Sequence, residues 1–393
     1  MRIARDAALE RRLRAGEAFF GAEAERIARL CHRMAERFAR GGRLIAVGRT
    51  PAARSDVRHL AVEFVHPVIV GKRALPAIGL AAEGGPLDLQ VDLLAEPDDI
   101  LVALGAEEGE PEAVAALRRA RDRGCLTVAF GAGAGAEWEL APPDDDPFVR
   151  QELVETLYHV LWELVHVFFD HRGLLEGRQE RAVHDTGASS FLYPFLAERE
   201  TDLESVVADV RESALMKAAE IGELRAQTLT DGREALEAAA AALCACFDAG
   251  GKLLALGNGG SATDAMDVVA DFRAAPQGWR HLPALDLTED PAILTALAND
   301  IGAEVIFQRQ VIAYGRPGDA LLALSTSGGS ANVILALEEA RRRGLVTIAL
   351  VGYDGGRVAA EGLAEHVIVT RSQHIPRIQE AQASAYHVLV ELL

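Results

Sequence analysis

The stretch GGKLLALGNGGSATDAMDVVADF (250–272) decides the fold of this 393-residue chain. It reads as a short buried strand, a loop rich in glycine and serine, and a helix, which together form one βα unit. An earlier stretch, GGRLIAVGRTPAARSDVRHLAVEF (41–64), repeats this order. Two more pairs follow: 120–131 returns as ARRRGLVTIALVG, and YHVLWEL (158–164) returns as YHVLVEL (386–392). Matched segments in one order indicate a duplicated fold.

Apolar strands alternate with amphipathic helices in both copies. In the second copy the predicted strands are KLLALG, LPALDL, ALLALS, VTIALVG and HVIVT. Continuous Val, Ile, Leu and Ala strands between helices are typical of a parallel sheet that is buried on both faces. We therefore expect the α/β class: two tandem αβα sandwiches of flavodoxin-like or Rossmann-like type, each preceded by two long helices.

The boundaries of the two copies predict the domains. We expect a first domain over 1–172, a connection without clear periodicity over 173–197, and a second domain over 198–393. The N-terminus lacks the apolar segment of a signal peptide, and no apolar run reaches the roughly 18 residues of a membrane span. The chain has 4 cysteines, too few for a disulfide framework at this size. We expect a cytoplasmic protein with reduced thiols.

The charge of the chain limits its partners. A formal net charge of −19 disfavours binding to nucleic acid or to an anionic membrane. An anionic small molecule remains compatible with it, because a helix N-terminus binds phosphate through local N–H groups. No nucleotide-binding loop with the right flanks is found, so we expect no nucleotide cofactor.

Two loops of the second copy have the composition of phosphate sites. GNGGSATDA (257–265) and STSGGSAN (325–332) each join the end of a predicted strand to the start of a helix. Glycines allow a ligand to approach the backbone, hydroxyl groups add donors, and open α/β sheets bind ligands at this edge.

Together with ALANDIG and RIQEAQASAYH, these loops resemble the phosphoheptose isomerase branch of the sugar isomerase (SIS) fold, and the resemblance covers 198–393. It implies conversion of sedoheptulose 7-phosphate to an aldose heptose phosphate through an enediol. It also assigns the positions that hold the phosphorylated sugar: Asn258, Gly259, Gly260, Ser261, Asn299, Asp300, Ser325, Thr326, Ser327 and Ser330.

The resemblance also implies a set of acid–base and metal residues. The family has a His and a catalytic Glu four residues apart on one helix, and a Gln and a catalytic His eight apart on the closing helix; together they bind zinc. The matching residues here are Asp267, Asp271, Gln379 and His387. Asp271 would act as the base and His387 as its partner. Both aspartates depart from the pattern, because Asp267 shifts the site towards oxygen ligands and Asp271 is one methylene shorter than glutamate.

The first copy keeps the residues that the second has lost. Alignment of the two copies puts His59, Glu63, Gln151 and His159 at these four positions, so zinc or another divalent metal and the catalytic pair Glu63 and His159 are also expected here. Its loops have changed to GRTPA (48–52) and GAEEG (105–109), where Glu107 and Glu108 would repel a phosphate.

Three interpretations of the whole chain follow. The second copy is a self-sufficient isomerase beside a structural first copy, or the two copies contribute to composite or unlike sites. In the third interpretation, the chain is a non-catalytic regulator or assembly partner that binds phosphorylated sugars. Isomerases of this branch assemble as tetramers, so the resemblance implies a homodimer that makes a pseudo-tetramer of SIS domains.

Overall fold

The computed structural model describes residues 2–69, 72–81, 83–105, 110–171, 174–175, 202–276 and 278–393, with side chains from residue 7 onward. The chain divides into two compact units. One spans Glu10–Glu220, and the other spans Ile221–Leu393 together with the start of the first helix. The connection expected over 173–197 falls almost wholly outside the described residues, as do Glu107 and Glu108.

The first unit is built from alternating helices and strands. They are α1 (Arg2–Ala39), β1 (Leu44–Val47), α2 (Pro51–Val65), β2 (Ala77–Leu80), α3 (Leu87–Leu94), β3 (Ile100–Ala103), α4 (Pro111–Asp122), β4 (Leu126–Ala129), β5 (Trp138–Glu139) and α5 (Pro147–Asp170).

Its five strands form one parallel sheet in the order β2-β1-β3-β4-β5. Alternate residues of β1 enter two different cores, as the period of two in a strand requires. Leu44 and Ala46 pack in the core that includes α1, α2 and α5, whereas Ile45 and Val47 pack in the core that includes α3 and α4. The sheet is therefore covered on both faces.

The second unit has the same plan. Its elements are α6 (Leu203–Asp231), which begins in the first unit, α7 (Arg233–Asp248), β6 (Leu253–Leu256), α8 (Gly260–Arg273), β7 (Ala284–Asp286), α9 (Pro291–Asp300), a 3-10 turn (Ala303–Val305), α10 (Ile306–Tyr314), β8 (Ala320–Ser325), α11 (Ala331–Arg342), β9 (Val346–Gly352), α12 (Gly356–Ala360), β10 (His366–Thr370) and α13 (Ile375–Glu391).

The second sheet is parallel and has the order β10-β9-β8-β6-β7. Counted from the first strand of each sheet, both sheets have the flavodoxin-like order 2-1-3-4-5. The expected α/β class with two parallel-sheet sandwiches is confirmed. After β6 the chain adds β7 on one side of β6 and then crosses over to add β8 on the other side. The loops that follow β6 and β8 are therefore neighbours at the carboxyl edge of the sheet.

The leading helices differ between the copies. In the second copy, α6 and α7 are separate helices divided at Gly232, as expected. In the first copy the prediction of two helices is wrong, because α1 runs unbroken for 38 residues. Gly16 and Gly21 lie inside α1, where an isolated glycine costs about 1 kcal/mol relative to alanine. The surrounding Ala, Leu, Arg and Glu residues are strong helix formers and carry the helix through both positions.

Within the described part of the chain, none of the helices combines the length and the apolar content that a membrane crossing requires.

Candidate active site

The first loop of the second copy brings the backbone of β6 close to the start of α8. The chain turns at Gly259, which has φ 58° and ψ −125°, and α8 begins at Gly260. A Cβ atom at Gly257 would collide with the carbonyl oxygen of Ser261, so this position requires glycine. No side chain caps α8 at Gly259. Ser261 N and Ala262 N donate to the backbone carbonyls of Asn258 and Gly259 at 3.1 and 3.0 Å. The partial positive charge of this helix N-terminus thus has no side-chain cap beside it.

The second loop is held by its own serines. Ser325 Oγ accepts a hydrogen bond from Gly328 N at 3.1 Å, and Ser327 Oγ accepts one from Gly329 N at 3.3 Å. Ser330 occupies the N-cap of α11 but makes no capping hydrogen bond. Its hydroxyl and the N-terminus of α11 lie at one place, which is the arrangement that phosphate sites use.

The two loops are joined to each other. β6 pairs with β8 through Leu256 and Ala323, so both loops leave adjacent strands at one edge of the sheet. There the amides of Asn258 and Asn332 exchange two hydrogen bonds of 2.9 Å each. The two amides thus join the loops, in which Asn258 and Ser327 are exposed whereas Ser261 and Ser325 are buried.

Asn299 and Asp300 lie at the end of α9, and both are exposed. Asn299 Nδ2 donates to Asp300 Oδ1 at 2.7 Å, so the pair that the resemblance implied is a hydrogen-bonded unit.

A buried acid–base cluster lies where α13 packs against α8. His387 Nε2 lies 3.4 Å from Asp271 Oδ2 and 3.7 Å from Asp267 Oδ2, and His387 is fully buried. One ligand atom from each of these residues lies within 4.8 Å of the others. Gln379, also predicted for this site, is buried on the same helix. The structure thus brings together the acid–base residues that the sequence predicted in the second copy.

Sequence reasoning missed Tyr386, which donates from its hydroxyl to Asp267 Oδ2 at 2.8 Å. A signal for it existed, because the dipeptide Tyr-His recurs in the duplicated segments 158–164 and 386–392. The hydrogen bond occupies a lone pair of the carboxylate that replaces the histidine of the family pattern. Asp267 is therefore held by a protein donor as well as facing His387.

The equivalent cluster of the first unit lies between α2 and α5, which also pack together. His59 Nε2 lies 3.3 Å from His159 Nε2 and 3.8 Å from Glu63 Oε1, and all three residues are buried. Gln151 is half-buried on α5. The hydroxyl of Tyr158 contacts Asp56 Oδ1 at 3.5 Å, whereas its counterpart Tyr386 contacts the metal-position residue.

The first cluster fits a divalent metal by its donors. Two imidazole nitrogens and one carboxylate oxygen lie within 4.8 Å of one another, and imidazole is a ligand suited to zinc. The second cluster offers two carboxylates and one imidazole, a harder set in which Tyr386 already engages one carboxylate. The first cluster is thus the better match to zinc.

The first loop of the first unit is closed to an anion. Thr50 accepts a hydrogen bond from Ala53 N at 3.1 Å and so caps α2 with its own side chain. Pro51 follows at the first helical position and has no N–H group. Two of the groups that would face a phosphate are thus engaged by a side chain or missing. At the start of α8 no side chain engages the N–H groups, although Ser261 N and Ala262 N donate to the backbone carbonyls of Asn258 and Gly259.

Comparisons with known proteins find relatives of the second copy. The family model described as "SIS domain" matches residues 218–352. The phosphoheptose isomerase of Geobacter sp. (strain M21) is 41% identical over 192 residues, which are 49% of this chain and 95% of that protein. The phosphoheptose isomerase of Aquifex aeolicus is 42% identical with the same two coverages.

Two solved structures resemble nearly the whole chain. The C-terminal domain of glucosamine-fructose-6-phosphate aminotransferase from Francisella tularensis has a TM-score of 0.61 and 8% identity, and covers 98% of this chain and 93% of that one. Tagatose-6-phosphate ketose/aldose isomerase from Escherichia coli has a TM-score of 0.55 and 13% identity, with coverages of 98% and 91%. At these identities the likeness concerns the fold alone.

Proposed function

The chain belongs to the phosphoheptose isomerase family, and from this premise we propose that it isomerises a ketose phosphate such as sedoheptulose 7-phosphate. The observation that carries the proposal is the buried pair of His387 and Asp271, 3.4 Å apart, in the same unit as two loops that present hydroxyls and helix N-termini. Isomerisation needs a base that reaches carbon and a group that exchanges protons with oxygen. The pair supplies both.

The phosphate is assigned to the two loops. Ser261 and the N-terminus of α8 contribute from the first loop, and the hydroxyls of Ser325, Thr326, Ser327 and Ser330 contribute from the second. Helix N-termini carry a partial positive charge, which stabilises a phosphate even in a chain of net charge −19. Asn299 and Asp300 are assigned to the sugar hydroxyls.

The proton transfers are assigned to Asp271 and His387. Asp271 removes the proton from C1 of the ketose, while His387 donates a proton to the oxygen on C2, which gives the enediol. Asp271 then returns its proton to C2, and His387 takes the proton from the oxygen on C1 as the aldehyde forms. Asp267 Oδ2 lies 3.7 Å from the imidazole Nε2, beyond hydrogen-bond distance, and accepts a hydrogen bond from Tyr386.

The spacing along α8 sets a geometric condition. Ser261 and Asp271 are ten residues apart, so about 15 Å of helix axis separates them. One ligand must span this distance within a unit, or the loops of one chain act with the acid–base pair of another in a homodimer.

A mixing experiment separates these arrangements. Ser325→Ala removes one hydroxyl of the proposed phosphate site and His387→Asn removes the acid–base pair. At a substrate concentration below the raised KM of Ser325→Ala, we expect each variant alone to show little or no turnover. Recovery of turnover after the two variants are unfolded and refolded together supports a site shared between chains. Turnover that stays at the level of the single variants supports a site within one unit.

A divalent metal, with zinc as the best match, is assigned to His59, Glu63, His159 and Gln151 of the first unit. When bound, such an ion supplies Lewis-acid polarisation of a carbonyl oxygen. His59 and His159 must then both be neutral, and Glu63 ionised, to present lone pairs to it.

The test of the acid–base assignment is His387→Asn with sedoheptulose 7-phosphate as substrate. We expect a loss of turnover of at least about 10²-fold, the usual contribution of a general acid–base group, while the sugar phosphate still raises the melting temperature. His281→Asn is the matched control, because His281 is exposed in the same unit and hydrogen-bonds to Arg273 O. Full turnover by His387→Asn contradicts the assignment. A wild-type chain that binds the sugar phosphate without turnover supports the regulator instead.

A further inference from the structure

The reciprocal pair of Asn258 and Asn332 stands out from the composition of the chain. The 393 residues include three asparagines, Asn258, Asn299 and Asn332, and all three lie in the second copy. Two of the three face each other across the candidate phosphate loops although they are 74 positions apart. Because asparagine is rare in this chain, a contact between two of the three asparagines is not expected by chance.

The hydrogen bonds fix the orientation of both amides. Asn332 Oδ1 accepts from its neighbour Val333 N at 3.0 Å, which sets the oxygen side of this amide. Asn332 Oδ1 also accepts from Asn258 Nδ2, and Asn332 Nδ2 donates to Asn258 Oδ1, each at 2.9 Å. The backbone of α11 therefore determines the orientation of Asn258 on the opposite loop.

Each amide still has a donor to offer. An asparagine NH2 group has two hydrogens, and the pair uses one from each residue. Asn258 is exposed and adjoins Gly259, where the loop turns towards α8. Its second N–H is thus held at the rim of the loop surface in a direction that Asn332 sets.

We propose that Asn332 is a positioning residue, which locks the two loops together through Asn258 so that they bind a phosphorylated sugar as one preformed surface. The inference rests on the proposed function of these loops. When the loops are already ordered, binding does not cost the entropy of ordering them. The Asn258–Asn332 pair therefore raises the affinity for the sugar phosphate. It does not touch His387 or Asp271, so it leaves the chemical step unchanged.

The test measures binding of sedoheptulose 7-phosphate and of inorganic phosphate to three variants, Asn332→Ala, Asn258→Ala and the double variant. We expect Asn332→Ala to weaken binding of the sugar phosphate about tenfold, an effect in the range found for contacting residue pairs. KM rises by the same factor, kcat is unchanged and the melting temperature stays within about 1 °C because the bonds are exposed. In a chain that already carries Asn258→Ala, we expect Asn332→Ala to cause no further loss of affinity.

Two further variants sharpen the outcome. Asn332→Asp keeps the acceptor for Asn258 but adds a negative charge beside the phosphate, so it should bind more weakly than Asn332→Ala. Arg280→Ala breaks the exposed pair of Arg280 and Asp248 and serves as a control that binds normally.

Wild-type affinity in Asn332→Ala, or losses that multiply in the double variant, overturns the positioning role. If Ser325→Ala and Ser327→Ala also bind both probes normally, the proposed phosphate site is itself wrong. The positioning role of Asn332 is then overturned as well.

Discussion

At the scale of single residues, Gly328 shows how strictly the second loop is built. Its φ is +59°, a left-handed conformation, and a Cβ atom there would collide with the carbonyl oxygen of Gly355. We predict that Gly328→Ala lowers the free energy of unfolding by about 1–3 kcal/mol and weakens binding of the sugar phosphate. Thermal unfolding and a binding titration measure the two effects.

Gly362→Ala is the matched control for this prediction. Gly362 has nearly the same φ, +58°, but a Cβ atom there would meet nothing within 4 Å. Gly362→Ala should lower the free energy of unfolding only by the cost of a left-handed alanine, about 1–2 kcal/mol. It should bind the sugar phosphate as the wild type does. Equal effects of the two substitutions on binding would show that the contact with Gly355 is unimportant for the loop.

His166 of α5 gives a prediction on pH. Burial lowers the pKa of His166, although its ring nitrogens face the carbonyls of Arg73 and Trp162, which favour the proton. Because the unfolded chain binds this proton more readily, the stabilising contribution is complete above about pH 6.5 and is lost as pH falls towards the folded pKa. We expect the wild-type melting temperature to fall more than that of His166→Gln between pH 7.5 and pH 5.5. Parallel curves for both proteins would contradict this.

The serine-rich loops were predictable, since serines and glycines at the ends of predicted strands are local patterns. The positions of the ionisable residues came from the family resemblance and from the alignment of the two copies. Tyr386 and Asn332 were not assigned, because their roles depend on partners more than 70 positions away in the sequence. Only the fold brings such partners together.

At the scale of elements, the two copies use glycine in opposite ways at their leading helices. Gly21 lies inside α1 with open space around it, whereas Gly232 divides α6 from α7 and its added Cβ would crowd Thr228 O. The periodicity of the sequence was the same in both copies and predicted two helices in each. It could not decide whether a glycine continues or ends a helix, since that depends on the tertiary contacts of the turn.

The same substitution should therefore have opposite effects at these two sites. We predict that Gly21→Ala raises the free energy of unfolding by about 0.5–1 kcal/mol, because alanine is the better helix former. Gly232→Ala should lower it by about 1–2 kcal/mol through the contact with Thr228. Melting temperatures that rise for Gly21→Ala and fall for Gly232→Ala would agree with an unbroken α1 and with the division of α6 from α7. A rise for Gly232→Ala would contradict the division of α6 from α7.

At the scale of the whole molecule, the two copies share a topology but differ in their sites. The second copy has two loops for which we propose phosphate binding, and a cluster of two carboxylates and one histidine. The first has a loop closed by Thr50 and a cluster of two histidines and one carboxylate. The parallel sheets followed from the alternation of elements in the sequence, whereas the strand order comes from the structure. The closure of the first loop depends on a capping hydrogen bond, which the sequence does not specify.

This difference predicts where a metal binds. We expect elemental analysis of the purified chain to give about one zinc per chain in the wild type, none in His59→Ala and the wild-type amount in Asp267→Ala, because imidazole ligands favour zinc over an oxygen-rich set. Unchanged zinc in His59→Ala, zero included, would contradict the assignment to the first copy.

The most direct test of the account is turnover of sedoheptulose 7-phosphate by the wild-type chain beside Ser325→Ala and His387→Asn, with formation of the aldose heptose phosphate as the readout. We predict turnover by the wild type, a raised KM or no detectable binding in Ser325→Ala, and binding without turnover in His387→Asn. Absence of turnover in the wild type, or full turnover in both variants, would contradict the assignment of the isomerase site to the second copy.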